Sequence, residues 1–379
     1  MVNPPGRFQC GAIVRDATRC RLPKSAEGLD LMQHLNRRFG AGWRRAAAGR
    51  IAMLAALAAI TGWTVDAQAE SVPAAYKTES GPYGVQVIDN HVLPAENGQR
   101  SLRARIAFPQ GEGPFPLVVF SHGFACYRES YSGLTDHWAS HGYVVVQPEH
   151  PDCPTSPVRL RPQDATRIHY IRISDVERVL DALFAPGEEI PGLTGNIDYG
   201  RKVMAGHSFG GMIAQIVWGQ PLKDPETSEA VSHARDFDAA IIMSGPGTMP
   251  QMADGAFTGL SGPMLVSGGT RDTRNAGDGV IYPWEWRLQA YERSPPGNKY
   301  SVVLEEGDHY LGGLICRDDR GGPQNRGGAP DVEGQTILAG VSTAFLDAWL
   351  NEDAAARRFL EELDRHAGIA GGRARFARK

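Results

Sequence analysis

Cysteines and long apolar runs are both scarce in this chain. It has only 5 cysteines among 379 residues, too few for a disulfide-stapled scaffold, and at 42% its hydrophobic fraction is too high for a disordered chain. The formal charge of −4 excludes a broadly basic nucleic-acid-binding protein. The sequence also lacks C-x-x-C, G-x-x-x-x-G-K and a suitably placed G-x-G-x-x-G, so it predicts no metal, no nucleotide and no other cofactor.

The N-terminal segment, residues 1–69, has the order of parts found in a secretory signal peptide. Five arginines between positions 37 and 50 precede an apolar run at residues 51–63, and an A-x-A site follows at residues 67–69. A transmembrane anchor is the disfavoured alternative, because the run has 13 residues and a spanning helix needs about 20. We therefore expect a signal peptide and N-terminal extension cleaved after Ala69, no stable membrane anchor afterwards, and a secreted or periplasmic product.

Without residues 1–69, the chain is distinctly acidic. The remaining 310 residues carry 29 Lys and Arg against 39 Asp and Glu, which gives a net charge of −10. Such a surface repels anionic polymers, so no nucleic-acid partner is expected.

Short β-branched runs alternate with helical patterns from about Tyr83 onward. The run Tyr143–Gln147 (YVVVQ) is typical of a strand buried on both faces. The other predicted strands are Leu102–Phe108, Leu117–Ser121, Lys202–Ala205, Ala239–Ser244, Met264–Ser267 and Tyr300–Leu304. The predicted helices are Ser130–His141, Ile168–Leu183, Gly210–Trp218, Thr336–Leu350 and Glu352–His366. This alternation predicts an α/β fold, a single domain over residues 70–379 with a mostly parallel central sheet and helices on both faces. The basic tail, residues 371–379, is expected to fray.

The most informative motif is G-x-S-x-G at positions 206–210. It lies between a predicted strand and a predicted helix, which is the context that this motif requires. The two glycines permit a sharp turn that exposes the Ser208 hydroxyl at the carboxyl end of the sheet. The Phe209 N–H then lies at a helix N-terminus, where it can face a developing oxyanion. A Gly-rich turn with a capping serine is the alternative, and the flanking strand and helix argue against it.

A second loop follows the predicted strand Leu117–Ser121 and begins His122-Gly123-Phe124. In serine hydrolases of this architecture, the equivalent loop supplies the second oxyanion N–H, which here is that of Phe124. We therefore predict an oxyanion hole made by the backbone N–H groups of Phe124 and Phe209.

A serine nucleophile needs a base that takes its proton and an acid that orients the base. Asp272 and His309 each follow a predicted strand, so both lie on the same rim of the sheet as Ser208. The chain order serine, acid, histidine is the one that this architecture uses. We predict Ser208 as the nucleophile, His309 as general base and then acid, and Asp272 as the acid that orients it. Asp278 and Asp308 are the alternative acids.

Two tryptophans and three cysteines complete the candidate residues. Trp284 and Trp286 follow the loop of the predicted acid and are candidates to line an acyl or alcohol pocket, although packing against the next helix explains them equally well. Cys126 and Cys153 follow adjacent strands of the predicted sheet. A disulfide between them is one hypothesis, and Cys153–Cys316 is the competing pair.

These residues resemble α/β-hydrolases of the group that includes plasma-type platelet-activating-factor acetylhydrolase, dienelactone-hydrolase-like and chlorophyllase-like esterases and, more distantly, secreted polyester hydrolases. The matching stretches are FSHGFACYRESY (120–131), WASHGYVVVQPEH (138–150), AGHSFGG (205–211) and LEEGDHY (304–310). The resemblance implies an α/β-hydrolase fold and a lidless or lightly covered pocket for short acyl chains. Cys126 and the long segment 314–331 depart from the group's pattern. Phe209 stands where chlorophyllases tend to have a basic residue, which disfavours chlorophyllase activity.

The expected function is therefore that of a serine carboxylic-ester hydrolase acting through an acyl-enzyme on short-chain or aryl esters, with a small-molecule ester as its partner. An acyltransferase or amidase on the same triad, and a polyester or lactone hydrolase, are alternatives. A non-enzymatic binding protein is a further alternative, and the complete serine, aspartate and histidine set argues against it. The sequence predicts no oligomeric state.

Overall fold

The structure is a computed structural model of the chain, and it describes residues 76–93, 95, 100–184, 190–275, 279–313, 331–363 and 372–379. The chain divides into two units, residues 1–70 and 71–379, and all described residues belong to the second. The predicted signal peptide and its cleavage site lie outside the described residues. Within the described part, no helix combines the length and the apolar character needed to cross a membrane.

Nine strands form the central sheet of the described chain. They are β1 (Val85–Leu93), β2 (Leu102–Pro109), β3 (Phe115–Ser121), β4 (Val144–Pro148), β5 (Ile197–His207), β6 (Ala239–Met243), β7 (Met264–Gly269), β8 (Lys299–Leu304) and β9 (Ala374–Arg378). Their order across the sheet is β1-β2-β4-β3-β5-β6-β7-β8-β9. Neighbours from β4 to β8 in this order are parallel, whereas β1 with β2, β2 with β4, and β8 with β9 are antiparallel. The predicted mostly parallel sheet is confirmed.

Helices cover both faces of the sheet, as the strand–helix alternation predicts. The α-helices are α1 (Ser132–Ser140), α2 (Ile168–Phe184), α3 (Phe209–Trp218), α4 (Gln289–Arg293), α5 (Val332–Leu350) and α6 (Ala354–Glu362). In β3, Leu117 and Val119 pack into the core that contains α2 and α3, whereas Val118 and Phe120 pack into the core that contains α1 and α5. Successive side chains of a strand point to opposite faces, so the continuous apolar runs fill both cores.

The described part of the C-terminal tail, residues 372–379, corrects the prediction that this tail frays. They include β9, which pairs with β8 along its whole length. Ala374 is buried and Phe376 packs against the core, while Arg375 forms an ion pair with Glu305. Without this strand, β8 would present an open edge. The short alternation of basic and apolar residues from Arg373 to Phe376 is the strand signal that the basic, Gly-rich composition of the tail obscured.

The carboxyl ends of the parallel strands meet at one edge of the sheet. Strand β3 ends at Ser121, β5 at His207, β7 at Gly269 and β8 at Leu304. The predicted oxyanion, nucleophile, acid and base residues lie in the loops that leave these four ends, so the strand order places them side by side.

Candidate active site

Ser208 lies at a sharp turn between β5 and α3, and its backbone conformation is one that serine rarely adopts. Its φ is 54° and its ψ is −117°; strained residues of this kind cost about 1–3 kcal/mol and cluster at functional sites. The turn depends on two close contacts. A Cβ on Gly206 would lie 2.3 Å from the carbonyl oxygen of Gly210, and a Cβ on Gly210 would lie 1.9 Å from that of Ser121. Only glycine fits at positions 206 and 210. The turn that these two glycines allow places the Ser208 hydroxyl at the edge of the sheet.

The structure brings the three predicted triad side chains into one hydrogen-bonded chain. The distance from His309 Nε2 to Ser208 Oγ is 2.9 Å, and the distance from His309 Nδ1 to Asp272 Oδ1 is also 2.9 Å. The alternative acid Asp308 instead accepts the backbone N–H of Tyr310, and Asp278 lies outside the described residues. Asp272 is therefore the acid that is placed to orient His309.

The electrostatics around Asp272 keep its carboxylate ionised. The residue is 1% exposed. Burial alone would raise the pKa of Asp272, but the hydrogen bond with His309 and the positive charge of Arg287 outweigh burial and lower it. Arg287 Nε lies 3.1 Å from Asp272 Oδ1, and Arg287 Nη1 donates to the carbonyl oxygen of Ser244. Sequence reasoning missed Arg287, because no recognisable motif contains it.

The two predicted oxyanion residues lie side by side, with the rings of Phe124 and Phe209 6.0 Å apart between centroids. Phe209 is the first residue of α3, where backbone N–H groups have no intrahelical acceptor. In the other loop, the N–H groups of Gly123 and Ala125 donate to side-chain oxygens at 2.8 and 2.9 Å. These bonds engage the N–H groups on both sides of Phe124, and its own N–H is not part of them.

A buried arginine beneath this loop helps to set the direction of the Phe124 N–H. Arg172 on α2 is fully buried and donates to the carbonyl oxygens of His122 and Gly123, at 2.5 and 3.1 Å. Its charge is balanced by two bonds to Asp152, at 3.0 and 2.5 Å. The Gly123 carbonyl and the Phe124 N–H belong to one planar trans peptide and point in opposite directions. His122 Nδ1 lies 2.7 Å from the same Gly123 oxygen, so Arg172 and His122 together hold this carbonyl and thereby aim the N–H.

The candidate pocket tryptophans contact arginines. Trp286 is 5% exposed, and the guanidinium carbons of Arg287 and Arg274 lie 5.0 and 5.2 Å from its ring centroid. Trp284 has the guanidinium of Arg375 5.6 Å from its ring. Trp286 thus supports the arginine that pairs with the triad carboxylate, while a pocket-lining role for either tryptophan remains a prediction.

The hypothesis of a Cys126–Cys153 disulfide is wrong. Cys153 is a buried free thiol, and its Sγ lies 3.1 Å from Thr155 Oγ1 within its own loop. Cys126 is disulfide-bonded, and Cys153 is not its partner. The same free thiol excludes the competing pair Cys153–Cys316. The two strands are close in the sheet, but the Cys153 side chain is held by Thr155 rather than by the neighbouring loop.

The segment that contains the oxyanion loop and Ser208 is similar to known proteins. A family model described as chlorophyllase matches residues 75–218. Chlorophyllase-1, chloroplastic, of Citrus sinensis is 46% identical over 44 residues, which are 12% of this chain and 13% of that protein. Chlorophyllase-1 of Arabidopsis thaliana is 37% identical over 79 residues, 20% and 23% of the two chains. Platelet-activating factor acetylhydrolase of Cavia porcellus is 45% identical over 38 residues, 10% and 9% of the two chains.

The chain resembles the chlorophyllase and acetylhydrolase group of α/β-hydrolases. The group that the sequence motifs predict is confirmed, and the doubly covered, mostly parallel sheet is the α/β-hydrolase fold. The chain spans less than a quarter of the length of each of these three relatives, 13%, 23% and 9%. The family match ends at Trp218, so it includes Ser208 but neither Asp272 nor His309. The assignment of the acid and the base rests on the geometry of the site.

Proposed function

We propose that this protein is a serine carboxylic-ester hydrolase that acts through an acyl-enzyme on short-chain or aryl esters. The observation that carries the proposal is the hydrogen-bonded chain from Asp272 through His309 to Ser208. The resemblance to chlorophyllases and to an acetylhydrolase supports ester hydrolysis as the reaction class.

The hydrogen-bond geometry defines the first step. Neutral His309 donates its Nδ1–H to ionised Asp272 and accepts the Ser208 hydroxyl proton at Nε2. As the proton moves to Nε2, Ser208 Oγ forms a bond to the ester carbonyl carbon, and Asp272 stabilises the resulting imidazolium. His309 then returns the proton to the leaving alcohol oxygen as the carbon–oxygen bond breaks. A water molecule, deprotonated by the same imidazole, releases the acid from Ser208.

The N–H groups of Phe124 and Phe209 bind the oxyanion of the tetrahedral intermediate in this proposal. Fixed donors aimed at a developing charge lower the barrier because they need no reorganisation during the reaction, and each is worth about 10²–10³ in rate. The direction that Arg172 and His122 together impose on the Gly123–Phe124 peptide provides one such fixed donor.

The substrate class in this proposal follows from the aromatic pair beside the serine. The Phe124 side chain is 55% exposed, and it meets the Phe209 ring edge to face. An open apolar surface of this kind suits a small acyl or aryl group better than a charged one. The alternatives are polyester or lactone hydrolysis, and acyl transfer by the same triad. Substrate profiling distinguishes them from hydrolysis of small esters.

The direct test is hydrolysis of a series of p-nitrophenyl esters of increasing acyl length, together with labelling by a fluorophosphonate probe. We predict that the wild-type protein hydrolyses the acetate and that Ser208→Ala loses both turnover and labelling, because the Ser208 hydroxyl is the one that contacts His309 Nε2 among the described residues. Addition of an alcohol acceptor distinguishes hydrolysis from acyl transfer through the product formed.

Ser342→Ala is the matched control, since Ser342 is a buried serine whose hydroxyl bonds to Trp138 on the other face of the sheet. It should keep both readouts. Turnover or labelling that survives Ser208→Ala in a folded protein, as judged by its Tm, would rule out the assignment.

We also propose export as a single catalytic domain of residues 70–379, on the basis of the cationic segment, apolar run and A-x-A site in the sequence. N-terminal sequencing of the protein from its native host tests this proposal. A first residue at Glu70 supports cleavage after Ala69, and an intact N-terminus contradicts it.

A further inference from the structure

His207, the residue before the nucleophile, lies between the oxyanion loop and the loop of the catalytic histidine. Its Nε2 is 2.8 Å from the backbone carbonyl oxygen of His309, and its Nδ1 is 3.1 Å from Tyr131 Oη. The same Tyr131 oxygen lies 2.8 Å from the backbone nitrogen of Gly123, which precedes Phe124. His207 and Tyr131 are 1% and 0% exposed, so water does not compete for these bonds.

The donor and acceptor of each of these bonds follow from the chemistry of the two main-chain ends. The Gly123 N–H only donates, so the Tyr131 oxygen accepts from it and its own O–H points to His207 Nδ1. The His309 carbonyl only accepts, so His207 Nε2 carries the hydrogen. A neutral imidazole satisfies both ends. This assignment agrees with the surroundings, because burial and the neighbouring His309 hold the pKa of His207 well below its ordinary range.

We propose that Tyr131 and His207 are positioning residues that hold the oxyanion loop and the catalytic base in a fixed spatial relation. The proposal rests on the esterase function proposed above. Ser208 attack requires His309 Nε2 at the hydroxyl and the Phe124 N–H at the carbonyl oxygen at the same time. These two groups come from loops after β8 and β3, which are not neighbours in the sheet.

The chain formed by Gly123, Tyr131, His207 and His309 spans that separation through strand β5 between them. Its two ends are main-chain atoms, so it fixes the paths of both loops rather than a single side chain. Ser208 follows His207 directly in the chain. The nucleophile, the oxyanion loop and the loop of His309 are therefore all connected to the buried imidazole of His207. A displacement of about 1 Å between reacting groups can reduce a rate by about 10²-fold.

The test is Tyr131→Phe, which removes one hydroxyl and leaves the ring in its packing against Phe120. We expect kcat for p-nitrophenyl acetate to fall by about 10- to 100-fold, with KM within about twofold of wild type. The rate of fluorophosphonate labelling should fall by a similar factor, since it uses the same nucleophile and oxyanion donors.

Tyr143→Phe is the matched control. Tyr143 is equally buried, belongs to the same core, and donates its hydroxyl to Asp347 at 2.5 Å, away from the loops of the site. It should lower Tm as Tyr131→Phe does but keep the wild-type kcat. A purely structural role for Tyr131 would make the two variants alike in kcat, and that result would overturn the proposal.

His207→Asn is a second variant that tests the same proposal if Tyr131→Phe does not fold. His207→Asn keeps an oxygen acceptor near the Nδ1 position and removes the donor to the His309 carbonyl, so kcat should again fall with little change in KM. The double variant should be no slower than the slower single variant, because both changes break one chain. Additive losses in kcat, or a wild-type kcat in folded His207→Asn, would refute the proposed positioning role of this hydrogen-bonded chain.

The esterase assignment fails separately if wild type and Tyr143→Phe show neither turnover nor labelling.

Discussion

Two buried arginines carry much of the electrostatics of the candidate site at the scale of single residues. Arg172 pairs with Asp152 beneath the oxyanion loop, and Arg287 pairs with Asp272 beside the triad. Removal of one partner of a buried pair leaves the other charge uncompensated, typically at a cost of about 3–5 kcal/mol. Each arginine also has a directional role, since Arg172 binds carbonyl oxygens of the oxyanion loop and Arg287 binds that of Ser244.

We predict that Arg287→Gln moves the acid limb of the pH profile of kcat/KM to higher pH. The positive charge of Arg287 helps to hold the pKa of Asp272 below its ordinary range, so loss of that charge raises this pKa. A protonated Asp272 cannot stabilise the imidazolium that forms during the reaction. As the pH falls, the variant should therefore lose activity at a higher pH than wild type does.

Arg274→Gln is the control for this profile. Arg274 also stacks on Trp286, and its described contacts do not include Asp272. The limb should stay close to its wild-type position in this variant. A shift to lower pH in Arg287→Gln, or equal shifts in the two variants, would contradict the role given to Arg287.

The sequence predicts the three triad residues but not the side chains that support them, and the reason is physical. Ser208, Asp272 and His309 stand at strand ends, and strand ends can be located from apolar runs. Arg172 lies in an amphipathic helical pattern, in which a charged residue is normally expected on the solvated face. Only the packing of α2 against the β3 loop shows that this arginine is fully buried. Tyr131 is a buried aromatic residue, and no motif in the sequence shows that its hydroxyl contacts His207.

At the scale of elements, the sharp turn at Ser208 couples α3 to the end of β3. The carbonyl of Ser121 lies against Gly210 so closely that no side chain fits between them. This contact brings the first turn of α3, with the Phe209 N–H, next to the loop that carries Phe124. The approach of these two elements determines the separation of the proposed oxyanion donors.

We predict that Gly210→Ala lowers kcat for p-nitrophenyl acetate by more than about 100-fold and reduces Tm. A Cβ at 1.9 Å from the Ser121 carbonyl oxygen forces α3 away from β3 and separates the two N–H donors. Gly200→Ala provides the comparison, because its Cβ would meet only the flexible Asp198 side chain at 3.2 Å. Wild-type kcat in Gly210→Ala would show that the donors do not depend on this contact.

The interior strands of the sheet were predicted more reliably than its edge strands, and burial explains the difference. Strands such as β4 are covered on both faces, so they appear in the sequence as unbroken apolar runs. The edge strands β1 and β9 are partly exposed and contain several polar residues, so their composition resembles that of a loop. Pairing with β8 decides the conformation of β9, and that contact is remote in sequence.

At the scale of the whole molecule, buried carboxyl groups make stability depend on pH in two directions. Burial alone would raise the pKa of Asp152, but the charge of Arg172 lowers it to about 2. Since an unfolded aspartate titrates at about 3.9, Asp152 contributes stability above that pH and loses it as the pH falls through 2. Burial raises the pKa of Asp175 to about 7, so its contribution is complete below pH 4 and is lost as the pH rises through 7.

We predict that the Asp152 pair alone accounts for a decrease of about 2 kcal/mol in the free energy of unfolding between about pH 4 and pH 2. Urea unfolding at several pH values in this window measures the slope. Asp152→Asn should have a shallower slope than wild type, although its stability at neutral pH is lower because Arg172 loses its partner.

Asp254→Asn is the matched control for the acid slope, since Asp254 is 98% exposed and its ion pair in the described chain is with a surface lysine. Its slope should equal that of wild type. A wild-type slope in Asp152→Asn would mean that the Arg172 pair does not govern acid unfolding.

The free thiol of Cys153 makes motion of the site accessible to a simple chemical measurement. It follows Asp152 directly in the chain and is 1% exposed, so an alkylating reagent reaches it only when that loop opens. Alkylation at the rate of global unfolding would mean that the support of the oxyanion loop opens only together with the whole domain. Faster alkylation would mean that the loop opens independently, and its frequency could then be compared with the turnover rate in the same sample.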